Sequence, residues 1–369
     1  MNNYVHHFSI DRYNAVYYIN GNFNWMCIVM KKIFVLLIVL FGFMLYSCEN
    51  DKSTETPYIL NPYSKIHCTT YKPESSDDHL NYTDVSEFFN DPDPFITGYS
   101  MDKVPLQGEL CYPSESMEGP FPLVLVVHGN VKRTKLNSEK GYGYLLEYFA
   151  FHGYIAASVD ERFLNGDRFY ESDARAIVLL RHLQVFRRWN STEGNSFYNK
   201  VDMNRIALIG HSRGGEAVSI APIFNKDLHN VADTLFNFNF NIQSIIAIAP
   251  TDRFISGRYT STFNFRNPDP NWDALYGSDP VVLRNINYFL IAGSADGDLD
   301  EVMGQNAFNR AHPVTETQTG IKASAILHKG NHKFFNTIWT DECLEQFRCD
   351  NSYVFDVLSG EALQPEEQR

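Results

Sequence analysis

Residues 205–215 read Arg-Ile-Ala-Leu-Ile-Gly-His-Ser-Arg-Gly-Gly, and this stretch constrains the rest of the chain more than any other. The apolar run at 206–209 has the length and make-up of a buried parallel strand. It stops at Gly210, and residues 216–223, lined with Ala, Val and Ile, read as a helix. Gly210-His211-Ser212-Arg213-Gly214 is therefore a G-x-S-x-G turn set between a strand and a helix. So sharp a turn has no room for side chains flanking the serine, and glycine removes them. The turn lifts the Ser212 hydroxyl above the sheet and aims the next helix's N-terminus at the same place.

A serine hydroxyl is a weak nucleophile until a base accepts its proton, and the base needs an acid to orient it. The base is expected in a loop after the last strand, where residues 328–336 read His-Lys-Gly-Asn-His-Lys-Phe-Phe-Asn. His332 fits that position, whereas His328 follows the strand directly and reads as a surface strand end. The acid is expected after the preceding strand, within Ser294-Ala295-Asp296-Gly297-Asp298-Leu299-Asp300-Glu301. Asp296 stands nearest the strand's carboxyl end, where catalytic groups of open α/β sheets gather, and Asp298 is the alternative acid. Asp298 or Asp300 has a second option, capping a helix over residues 302–311. Asp296, Asp298 and Asp300 match the opening of a calcium loop, but Glu301 and Ala307 occupy its required Gly and Glu positions. That metal site is rejected. Acyl transfer also needs N–H donors for the developing oxyanion. The backbone of Arg213 supplies one, and Asn130, in the loop opened by His128-Gly129, is placed to supply the other.

Around this centre the chain alternates strands and helices. Strands are expected at 108–112 (an edge strand), 123–127, 154–159, 206–209, 243–249, 288–293 and 323–327. Helices are expected at 142–151 and, as a long amphipathic element, at 172–189. Such alternation gives an α/β protein with a mostly parallel central sheet and helices on both faces. Phe236, Phe238 and Phe240 alternate on one face of an expected strand extension and read as core. Residues 252–282 are long and aromatic, with Phe254, Tyr259, Phe263, Phe265, Trp272 and Tyr276; they either cap a pocket or pack as a surface loop.

The amino-terminal region reads as a targeting segment. Lys31-Lys32 precedes an apolar run at 33–46, followed by Ser47-Cys48-Glu49-Asn50-Asp51. The run falls short of the about 20 residues that a membrane span needs. It is similar to a bacterial lipoprotein signal, in which Cys48 is lipidated and becomes the first residue; a plain cleaved signal is the alternative. Residues 30–47 are then the signal, 48–95 a polar tether and irregular lead-in, and 96–369 the folded domain. Residues 1–29 form an upstream extension, with translation expected to begin at Met30. A formal net charge of −13 leaves no basic surplus for phosphate backbones, so nucleic acid is excluded as a partner. Cys68, Cys111, Cys343 and Cys349 remain for a compartment that permits disulfides, and Cys343 and Cys349 are spaced to close a small loop unless they are buried thiols.

The His128-Gly129 loop, the turn at 210–214, the Asp296 turn and His332, in the chain order Ser, Asp, His, resemble an α/β-hydrolase. Over residues 123–339 the resemblance is to the branch of dienelactone hydrolases, platelet-activating-factor acetylhydrolase-like enzymes and polyester hydrolases. It implies the α/β-hydrolase fold and a Ser212–His332–Asp296 triad with an oxyanion hole at Arg213 and Asn130. The implied reaction is hydrolysis of a carboxylic ester (of a lipid, a glycan or a small alcohol) without a metal or organic cofactor. Asn130 departs from the Gly-rich run of the HGGG esterases. With the leader, this describes an esterase of the cell envelope held at the membrane through Cys48. The alternative is an envelope lipoprotein that keeps the fold for binding alone. Residues 365–369 read as the first turn of a helix, and related hydrolases continue such a helix onto the sheet, so the sequence is expected to be cut short there.

Overall fold

The apolar runs become strands and the periodic segments between them become helices. The computed structural model describes residues 8–10, 15–16, 63, 65–72, 81–86, 88, 98–114, 119–131, 136–166, 171–227, 238–252, 282–299, 303–313, 320–340 and 363–369. In chain order the strands are β1 (Phe8–Ile10), β2 (Ala15–Val16), β3 (Ile66–Tyr71), β4 (Tyr82–Thr83), β5 (Val104–Pro105), β6 (Gly108–Pro113), β7 (Phe121–Val127), β8 (Ile155–Val159), β9 (Val201–His211), β10 (Ile242–Ile248), β11 (Asn287–Gly293) and β12 (Lys322–Leu327). The helices are α1 (Gly143–Phe151), α2 (Ser172–Ser191), α3 (Arg213–Asp227), α4 (Gly304–Arg310) and α5 (Pro365–Gln368), with a 3₁₀ turn at Ser138–Tyr142 leading into α1.

One sheet carries the strand order β3-β6-β8-β7-β9-β10-β11-β12, with β1 and β2 added outside β12. From β8 to β12 every neighbouring pair is parallel, and β6 and β3 join antiparallel. The chain is thus a mixed α/β protein built on a mostly parallel sheet.

Side chains alternate across a strand, so each strand feeds two cores. Leu123, Leu125 and Val127 of β7 join one buried cluster with Ile177 and Leu180 of α2 and Ala217 and Ile220 of α3. Val124 and Val126 join the other, with Leu145, Leu146 and Phe149 of α1. The sheet is therefore covered on both faces, which is why its strands read as unbroken apolar runs.

Five expectations change. Strand β6 is not an edge, because β3 pairs along its whole length, from Ile66 opposite Pro113 to Tyr71 opposite Gly108. The segment read as irregular lead-in therefore contributes a strand; its alternation was hidden because four of its six residues are exposed. Residues 8–10 and 15–16, within the stretch 1–29 read as an upstream extension, add two short antiparallel strands at the opposite edge. Helix α2 is not amphipathic in the ordinary sense, since residues 172–186 are all buried, Arg175, Arg181 and His182 among them. Finally, β10 starts at Ile242, so Phe238 and Phe240 are buried as expected but lie in irregular chain rather than in a strand extension.

Cys68 and Cys111 stand opposite each other in β3 and β6 and form a disulfide. Cys343 and Cys349 lie outside the described residues. The bridge spans 43 residues, for which chain entropy alone assigns about 4 kcal/mol of stabilisation. Non-reducing peptide mapping should recover the Cys68–Cys111 pair. Adding a thiol reductant should lower the urea midpoint by an amount equivalent to about 2–4 kcal/mol.

Candidate active site

Strand β9 ends at His211, Ser212 makes the turn, and α3 starts at Arg213. Ser212 has φ 58°, the left-handed region that an L-residue occupies at a cost. Its N–H donates to the Ile248 carbonyl at 2.9 Å, and its own carbonyl accepts from Gly215 and Thr251 at 2.8 and 3.2 Å. The flanking glycines are required by close approach. A Cβ on Gly210 would stand 2.1 Å from the Gly214 carbonyl oxygen, and one on Gly214 would stand 2.5 Å from that of Val127. The end of β7 presses on the same point: a Cβ on Gly129 would lie 2.5 Å from Ser212 Cβ and 3.0 Å from its Oγ.

His332 lies in the loop after β12, and its ring is buried. Its Nδ1 donates to Asp296 Oδ2 at 2.8 Å. The other Asp296 oxygen accepts the backbone N–H groups of Asp298 and Leu299 at 3.1 and 3.2 Å, so the carboxylate is fixed from both ends. Asp298 is close as well, its Oδ2 3.5 Å from His332 Nε2, with its side chain one-third exposed. Both sequence candidates for the acid therefore meet the same histidine, at opposite nitrogens. Burial pulls the His332 pKa down, but the charge and hydrogen bond of Asp296, helped by Asp298, outweigh it and hold the pKa above the ordinary 6.5.

The proposed cap role of Asp298 does not hold. Helix α4 starts at Gly304 with Met303 as N-cap and no side-chain cap, and the Asp296 carboxylate separately bends the chain into a turn over 296–299. Asp300 and the aromatic residues at 253–281 lie outside the described residues, as do Cys48 and the leader. His328 lies half-buried in the turn that follows β12.

Two further histidines brace the site. His211 receives the Tyr142 hydroxyl on Nδ1 at 2.8 Å and donates Nε2–H to the His332 carbonyl at 2.9 Å. The residue before the serine thus holds the backbone of the histidine loop. His128 donates Nδ1–H to the Gly129 carbonyl at 2.7 Å and accepts the Glu161 N–H on Nε2 at 3.0 Å. Burial, together with the nearby Arg175, lowers its pKa to about 3, so it stays neutral and holds the loop after β7.

Asn130 leads into that loop's contact with the segment after β8. Its side-chain amide makes a reciprocal pair with Gly166, Nδ2–H to the Gly166 carbonyl and Gly166 N–H to Oδ1, both 2.9 Å. The side chain is thereby occupied by backbone groups of Gly166. The Arg213 guanidinium is likewise engaged, 2.7 Å from Glu171 Oε1.

One contributor was not foreseen. Gln368 in α5 is buried, accepts the Asn331 N–H on Oε1 at 2.7 Å, and donates Nε2–H to the Asn331 carbonyl at 2.6 Å. The expected helical turn at 365–369 is present, with a capping box between Gln364 and Glu367. Its work is to clamp the residue before His332. Nothing local marks Gln368; only its partner 37 residues away gives it meaning.

Searches of the chain against family models and curated proteins find no match. Among the described residues, no helix is long and apolar enough to cross a membrane, and no cluster of three or more His, Cys, Asp or Glu is arranged to hold a metal ion.

Replacing Gln368 by Met keeps its length and removes both bonds. At about 0.5–1.5 kcal/mol net for each bond, unfolding in urea should show a loss of about 1–3 kcal/mol. An unchanged midpoint would show that the clamp contributes nothing.

Proposed function

We propose that this chain is a serine hydrolase of carboxylic esters with an α/β-hydrolase fold, working through Ser212, His332 and Asp296. The observation that carries the reading is the convergence of a left-handed serine turn with a buried Asp–His pair whose loop is bonded to the residue beside that serine. A strand order that runs antiparallel, antiparallel and then parallel across the sheet, with the serine turn at the end of a central strand, agrees with that fold.

In this reading His332 Nε2 takes the Ser212 proton as Oγ attacks the ester carbonyl carbon. Asp296 keeps the Nδ1–H tautomer and stabilises the imidazolium that forms. The N–H groups of Arg213 and Asn130 receive the oxyanion. The intermediate collapses as His332 returns the proton to the leaving alcohol, giving an acyl-Ser212. Water, deprotonated by His332, then attacks the acyl carbon, and Ser212 leaves with the proton to release the acid. The Cys68–Cys111 bridge favours an oxidising compartment, in keeping with a cell-envelope protein; lipidation at Cys48 would remove residues 1–47, so the mature sheet would end at β12 without β1 and β2.

A fluorophosphonate probe should label the wild type at Ser212 and leave Ser212→Ala unlabelled; an unlabelled wild type sinks the hydrolase and favours the binding lipoprotein. p-Nitrophenyl esters of increasing acyl length would define the substrate.

The two acids separate by pH. His332 must be neutral to act, and its pKa is held above 6.5, so activity should fall as pH drops through that raised value rather than below it. Asp298→Asn removes a charge that raises the pKa, so the acid limb should move to lower pH with most of the plateau rate kept. Asp296→Asn should instead cost up to about 10⁴ in turnover, because the imidazole loses its tautomer. The reverse pattern in pH–rate profiles would make Asp298 the acid.

A further inference from the structure

Among the described residues, the largest fully buried side chain is charged. Arg175 on α2 is completely inaccessible, and so are Glu161 and Glu171 beside it. An unpaired buried guanidinium would be strongly destabilising, and apolar residues of the same volume often do as well as a buried ion pair. Stability alone therefore gives no reason for a charge in this position, and what it binds does.

Arg175 reaches in three directions. Nη1 donates to Glu161 Oε2 at 3.2 Å. Nη2 donates to the Leu164 carbonyl and to Asn165 Oδ1, both at 3.2 Å. Nε lies 3.6 Å from Glu171 Oε1, an ion-pair distance. These partners are the two ends of the segment that follows β8. At its first end, Glu161 N–H binds His128, and Gly166 pairs with the Asn130 amide. At its second end, the same Glu171 Oε1 binds the guanidinium of Arg213 at 2.7 Å. One guanidinium thus connects the loop after β7 to the residue after Ser212 by two short chains of bonds. Both residues so joined carry the N–H groups assigned above to the oxyanion.

We infer that Arg175, through Glu171 and the segment from Glu161 to Gly166, is a positioning residue that sets the separation of the two oxyanion donors. This rests on the hydrolase reading for its catalytic meaning. The Arg213 side chain is the tie at one end, and only its backbone meets the substrate. A carbonyl oxygen that moves as it becomes an oxyanion needs donors fixed before the reaction begins. Two donors on separate elements, β7 and α3, are fixed only if something joins those elements, and the arginine is a rigid, always-charged fork suited to that.

The test uses the full chain. Arg213→Met keeps the backbone N–H but cuts the tie. It should lower kcat about tenfold, less than the 10²–10³ of losing a donor outright, with KM within about twofold of wild type. Arg213→Lys should recover part of the loss. Glu171→Gln keeps an acceptor but removes the charge that both guanidinium groups face, and should fall between wild type and Arg213→Met, whereas Arg175→Met should be worse if it folds. Arg205→Met, which removes the Arg205–Asp202 pair at the outer part of β9, controls for loss of an ion pair and should leave kcat unchanged.

Hydrogen exchange of the peptide covering 210–216 gives a second readout that needs no activity. Exchange at Arg213 N–H should be faster in Arg213→Met and Glu171→Gln than in wild type and Arg205→Met. Wild-type kcat and wild-type exchange in both variants would overturn the inference. A wild type that hydrolyses no ester would overturn the hydrolase reading instead, and exchange would still decide whether the clamp exists.

Discussion

A serine held at φ 58° is the constraint on which the rest of this structure depends. Left-handed backbone at a non-glycine residue costs on the order of 1–3 kcal/mol and persists only where the surroundings over-determine it. Here they do. Four backbone hydrogen bonds grip Ser212, two of them from the segment 248–251 at the end of the next strand. The carbonyls of Val127 and Gly214 occupy the space that side chains at 214 and 210 would need. The sheet's register and the turn's conformation are thus one fact seen from two sides.

Burial alone does not decide what a histidine does in this protein. His128, His211 and His332 are all inaccessible and lie within a few residues of the ends of β7, β9 and β12. The first two face a carbonyl on one nitrogen and a donor on the other, and burial leaves them neutral. They act as cross-braces. Only His332 meets carboxylates, and only its pKa rises. The carboxylate on Nδ1 is what sets His332 apart from the two struts.

The sequence made the centre legible and the periphery much less so. Residues 206–223 could be read because a buried parallel strand is continuously apolar and the turn that follows tolerates only glycine. His332 and Asp296 followed from their places after the last two strands. The strand Ile66–Tyr71 was missed because mostly exposed polar residues carry no period. The ions on α2 were misread for the opposite reason: charged residues at helical spacing look like a solvated face, and only their partners on other elements reveal them as buried. Asp298 looked like a helix cap, but α4 opens on Met303, and Asp298 sits in a turn held by the Asp296 carboxylate. For β3 and α2 the deciding partners are distant in sequence, whereas at Asp298 a neighbouring residue decides.

The bond between Gln368 and Asn331 also sets an order in time. A ribosome delivers Ser212 long before Asp296, Asp296 before His332, and residue 368 a further 37 positions after Asn331. A nascent chain halted anywhere short of that glutamine can form the sheet's central strands and the serine turn, yet its histidine loop lacks the grip on Asn331. The grip on Asn331 therefore forms only after residue 368 has been made, and a fragment released before it carries the serine turn without a fully secured His332 loop.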